Sequence, residues 1–118
     1  MDAEELKKRT KQFAIDVGRL TELLPETRVN IAYKGQIIRS SSSTGANYRA
    51  SRRAKSDADH INKLKIVEEE LDESLFFLEL LATFNPILQE RIDTIYKEGE
   101  ILLKIIVATI ITLRKKKN

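Results

Sequence analysis

The sequence predicts an all-α protein, an antiparallel up-and-down bundle of four helices, and three features lead there. Apolar residues return every three or four positions through four long runs, the spacing that gathers them on one face of a helix. The runs are parted by prolines and by short polar residues of the kind that cap helices. At 118 residues, 42% apolar and 33% charged, the chain suits a single domain over residues 1–118 with a modest core, and it is too apolar for disorder.

The first helix is predicted over 4–24, with Leu6, Phe13, Val17, Leu20 and Leu24 on one face. Pro25 ends it, because the residue before a proline is pushed out of the helical region. The same proline is expected to open the second helix, 26–53, since its fixed backbone angle and missing N–H suit a first turn. Ser56 caps the third helix, 57–84, whose seam runs through Ile61, Leu64, Val67, Leu71, Leu75, Leu78 and Leu81. Asn85-Pro86 reads as a cap and a first-turn proline, so helix four, 86–114, follows at once and makes a hairpin with helix three. Its seam is Leu88, Ile92, Ile95, Leu102, Ile106, Ile110 and Leu113, with Gly99 between the halves.

The second half of helix four, Ile101 to Leu113, is apolar nearly all round. A bilayer needs about 20 residues, and these thirteen are interrupted by Lys104, so membrane insertion is not expected. A helix apolar on every side must be covered on every side. Ile101, Ile105, Ala108 and Thr112 are therefore expected to pack against another subunit.

Residues 37–53, IIRSSSSTGANYRASRR, are open to three readings. A flexible linker explains Ser and Gly, yet Val29, Ala32, Tyr33, Gln36 and Ile37 before the run keep helical spacing and Tyr48 continues it. A phosphate-cradling loop needs several glycines at fixed offsets, and only Gly45 is present. The favoured reading is a near-continuous helix with a small-residue face that lets another backbone approach, bent near Gly45.

Charge is segregated along the chain although the net formal value is only +3. Arg28 to Ser56 holds seven bases and no acid, residues 57–100 hold twelve acids against four bases, and the last eighteen hold five bases and no acid. Arg39, Arg49, Arg52, Arg53 and Lys55 form the candidate nucleic-acid site, with Arg49, Arg52 and Arg53 on one helical face. The competing reading pairs these cations with Glu68, Glu69, Glu70, Asp72 and Glu73 of helix three. Lys115, Lys116 and Lys117, with Arg114, either touch nucleic acid or complete a solvated helix end, where cations suit the negative pole of the dipole.

Several chemistries find little footing. With no cysteine there is no disulfide framework, thiolate metal site or thiol nucleophile. A di-metal bundle needs two Glu-x-x-His pairs, and His60 is the single histidine, so no metal or other cofactor is expected. Six residues separate Arg53 from His60, the Arg-to-His spacing of a class of helical ribonucleases, but a two-residue pattern recurs by chance in an arginine-rich chain. The start MDAEELKKRTKQ is too charged for a secretory signal, so a cytoplasmic protein is expected.

The ordered set Gln36-Ile37-Ile38-Arg39-Ser40, Thr44-Gly45-Ala46-Asn47-Tyr48, Ser56-Asp57-Ala58-Asp59 and Phe77-Leu78-Glu79-Leu80-Leu81 resembles the four-helix bundle proteins encoded in intervening sequences of bacterial 23S ribosomal RNA. That group also holds the accessory variability protein of diversity-generating retroelements. The resemblance implies a homopentamer, no catalytic residues, and RNA or DNA together with a protein such as a reverse transcriptase as partners. The chain departs from the group at Ala50, where many relatives carry a glutamate, and at His60, where an aromatic is common. A protein-interaction adaptor, its basic stretch serving an acidic partner, is the alternative from another class.

Overall fold

The computed structural model describes residues 1–117, Lys117 for its backbone alone. Four α-helices fill it: α1 (Ala3–Leu23), α2 (Arg28–Ser51), α3 (Asp57–Phe84) and α4 (Gln89–Lys117), with one 3₁₀ turn, Pro86–Leu88, ahead of α4. The body measures 49 × 21 × 20 Å.

Local chemistry explains where the helices start. Asp2 accepts a hydrogen bond from the Glu5 N–H at 2.8 Å, Thr27 from Asn30 at 3.1 Å and Ser56 from Asp59 at 3.1 Å, each satisfying an amide that the first turn leaves without a partner. Two expectations need correction here. Pro25 does not open α2; the helix begins at Arg28 because Thr27 supplies a cap and Pro25 a carbonyl, which accepts from the Thr27 N–H at 2.8 Å. Nor does Asn85 cap α4. Its amide turns inward to the Leu81 carbonyl at 2.9 Å and to Asn30, so the chain passes through the 3₁₀ turn before α4 begins.

Each helix packs on two neighbours, α1 on α2 and α4, α3 on α2 and α4, which gives the bundle a square section. Asn30 at the start of α2 meets Asn85 beyond the end of α3, and midway along, the Ser40 and Ser74 hydroxyls bond at 2.8 Å. On α4, Tyr96 donates to Glu79 at 2.9 Å and Arg9 of α1 grips Glu98 through two nitrogens. Between these contacts lie Phe13, Val17, Leu20, Ile37, Leu64, Leu71, Leu78, Leu81, Ile92, Leu102 and Ile106, all fully buried.

The serine run is helix. Ser40, Ser41, Thr44, Gly45, Tyr48 and Ser51 form its buried face, and the hydroxyls of Thr44 and Ser51 return to the Ser40 and Tyr48 carbonyls, so burying them leaves no polar atom unpaired. At Gly45 a Cβ would stand 3.5 Å from the Thr10 carbonyl oxygen, which measures how near α1 comes. Gly99 is tighter still. A Cβ there would lie 2.7 Å from a Leu75 methyl and 3.0 Å from the Phe13 ring, so the meeting of α1, α3 and α4 requires its absence.

Candidate nucleic-acid interface

The bases singled out in α2 part company in three dimensions. Arg39 lies in mid-helix, and its guanidinium bridges Glu70, at 3.0 Å, and Glu73 of α3. Neutralised this way, it joins two helices. Arg49, Arg52, Arg53 and Lys55 lie about three turns or more further on, at the α2 end and in the following turn, and all are exposed. Among the described residues none of these four pairs with a carboxylate. At the start of α3, Asp59 is engaged elsewhere: it accepts from the Lys63 ammonium at 2.7 Å and from the Lys55 backbone N–H at 3.0 Å, and these bonds hold its carboxyl below the usual range.

Arg52 is the link to the core. Burial pushes the Tyr48 hydroxyl up, and the guanidinium of Arg52 beside it opposes that shift. Beneath Arg52 a shallow cavity of about 270 Å³ is lined by Ser51, Ala54, Lys55, Ser56, Asp57 and His60. Burial and the charge of Arg52 both push the His60 imidazolium down from its ordinary 6.5, so the ring is neutral at pH 7. It is Arg52, not Arg53, that shares this cavity with His60, which takes away the geometric basis of the Arg53–His60 spacing.

The second basic run ends up at the same end of the molecule. Tyr96 and Gly99 of α4 meet Glu79 and Leu75 of α3, so Arg114, fifteen residues or about 22 Å of helix past Gly99, stands level with the start of α3. The end of α2 lies there too, five residues before that start, with Asp2 and Glu4 acting on Tyr48. Arg114, Lys115 and Lys116 are exposed. The side chain of Lys117 lies outside the described residues. One end of the bundle thus gathers seven exposed cations, Arg49, Arg52, Arg53, Lys55, Arg114, Lys115 and Lys116.

Of the residues expected at a subunit contact, Ile101, Ala108 and Thr112 lie on the outer face of α4, with Ile101 47% exposed. Ile105 is half-buried and packs in part against the core. Sequence reasoning missed Ile111, 48% exposed, and on α3 Ile66 and Phe76, 42% and 55% exposed. Those two α3 residues stand ten positions apart with acids between them, so no apolar period marks them in the sequence. A larger cavity, about 620 Å³, opens at the other end between Asp16, Arg19, Ile87, Arg91 and Ile95. Among the described residues no group of three His, Cys, Asp or Glu side chains is placed to hold a metal, and no helix is long and apolar enough to cross a membrane.

Residues 4–108 match the model of a family described as the 23S rRNA-intervening sequence protein. The chain belongs to that family. It is similar to a crystal structure of a protein with unknown function from the S23 ribosomal protein family of Bacteroides thetaiotaomicron, with 32% identity and a TM-score of 0.81 over 89% of this chain and 97% of that one. No curated protein matches the chain. The family match stops at residue 108, so the Arg114–Lys117 run lies beyond the matched part.

Proposed function

We propose that this family member is a non-enzymatic, homo-oligomeric helical scaffold, an antiparallel up-and-down bundle assembled five to a ring, that holds RNA or DNA against the basic ends of its subunits. The antiparallel order is supported by the Asn30–Asn85 and Ser40–Ser74 pairs between α2 and α3 and by Gly99–Leu75 and Tyr96–Glu79 between α3 and α4, in which rising numbers on one helix meet falling numbers on the next. Assembly is supported by the apolar outer face that α4 leaves uncovered.

The observation that carries nucleic-acid binding is the group Arg49, Arg52, Arg53 and Lys55, free of ion pairs within the described chain and joined at one end by Arg114, Lys115 and Lys116. Unpaired guanidinium groups bind phosphate by charge-assisted, bidentate hydrogen bonds and release condensed counterions as they do so. Repetition around a ring makes several weak sites act as one through their effective concentration.

The test is affinity for single-stranded RNA and DNA as a function of salt. Binding should weaken steeply with salt, and Arg49→Gln/Arg52→Gln/Arg53→Gln should flatten the log–log slope by about 2 to 3 units for each subunit engaged. A flat salt response, or a triple variant that binds like the parent, would overturn the reading. A protein partner captured equally well after nuclease treatment would assign the same cations to an acidic protein instead.

A further inference from the structure

Two ridges on adjacent helices carry opposite charge and matching apolar residues. Along the outer face of α4 run Lys97, Ile101, Lys104, Ala108 and Ile111, and along that of α3 run Ile66, Glu69, Asp72 and Phe76. All are exposed, and among the described residues Glu69, Asp72, Lys97 and Lys104 have no ion-pair partner, whereas the neighbouring Glu70, Glu73 and Glu98 are all engaged within the chain. The nearest opposite charge on the α3 side, Lys65, is taken up by Glu68 of its own helix at 3.3 Å.

We infer that a second copy of this chain covers the α4 ridge with its α3 ridge, so that each subunit presents one ridge to each of two neighbours. Subunits in a ring are related by rotation alone, so when the bundle axes run along the ring axis, residues at equal height in one chain remain level between chains. The Gly99–Leu75 contact fixes that height. Five residues up α4 is Lys104, and six back along α3 is Glu69; nine up and nine back are Ala108 and Ile66. Two below Gly99 is Lys97, level with Phe76, and Ile101 falls between Asp72 and Phe76. Lys104 meets Glu69 and Asp72, the small Ala108 receives Ile66, and Ile101 and the stem of Lys97 flank the Phe76 ring. Helices α3 and α4 are adjacent corners of a square section, so their outer faces diverge by about a right angle, and a head-to-tail contact with that divergence closes after about four or five copies.

This inference rests on the homo-oligomeric reading and adds which faces meet. Light scattering of the full chain should give a closed oligomer. Lys97→Glu/Lys104→Glu and Glu69→Lys/Asp72→Lys should each weaken assembly by about 100-fold or more while circular dichroism stays helical, since all four sites are exposed, and the four changes combined in one chain should restore it. Independently, the chain has no native cysteine, so Glu69→Cys/Lys104→Cys should cross-link copies into a ladder under oxidation. Charge variants that stay assembled, a combined variant that stays apart, or no ladder from an assembled protein would overturn the ridge pairing and leave the oligomer standing. A monomeric parent would overturn both, and the ridges would then face a different protein.

Discussion

At Gly99 a missing side chain decides how closely three helices meet. Gly99→Val would place new carbons within contact of the Phe13 ring and Leu75, and overpacking should lower the free energy of unfolding by about 2 kcal/mol. Urea denaturation measures it, and an unchanged midpoint would show that the core yields there. His60 gives a pH test. Its folded pKa lies below the unfolded 6.5, so the unfolded chain binds the extra proton first and stability present above 6.5 is lost as pH falls through the folded value. Melting temperatures compared at about pH 7.5 and about pH 5.5 should fall less for His60→Gln than for the parent. Equal falls would mean that the ring is as well solvated folded as unfolded.

Elements are joined by a few polar contacts set into apolar seams. Asn30 and Asn85, both buried, exchange two hydrogen bonds, at 2.9 and 2.8 Å, and spend their second amide protons on the carbonyls of Pro25 and Leu81. They lock the α1–α2 turn onto the α3–α4 turn. Asn30→Ala leaves one amide proton and the side-chain oxygen of Asn85 without partners, and should cost about 2 to 3 kcal/mol. A double-mutant cycle with Asn85→Ala should show a coupling of about 1 to 2 kcal/mol, and strict additivity would deny that the pair acts as a unit. The Ser40–Ser74 bond works differently: two small hydroxyls satisfy each other and let α2 and α3 approach where leucines would hold them apart. That is why a segment of poor helix formers is helical here, stabilised by packing where intrinsic propensity is weak.

The molecule as a whole has more apolar surface than one bundle hides, on α4 at Ile101 and Ile111 and on α3 at Ile66 and Phe76. Assembly coupled to folding makes stability depend on concentration, because mass action favours the bound state. The melting temperature should therefore rise by a few degrees for an about tenfold increase in protein concentration. A concentration-independent value would belong to a folded monomer. Under the proposed function, basic charge concentrated at one end of the 49 Å body would set the direction from which a polyanion approaches.

Helical periods alone determined the all-helical fold, because a seam repeated every three or four residues can be buried only if the chain is helical, whatever lies opposite. The small-residue face of α2 and the excess apolar surface of α4 were legible for the same reason. What tertiary structure decided was partnership. Nothing in the row of letters distinguishes Arg39, bridged to Glu70 and Glu73, from Arg49, Arg52 and Arg53, which find no acid among the described residues. Likewise Ile105 and Ile101 sit on one apolar run, yet the first packs in part against the core and the second stays outside. Sequence spacing fixes angles around one helix axis; whether a charge is neutralised or an isoleucine covered depends on distances to residues far away in the chain, and those exist only once the helices have packed.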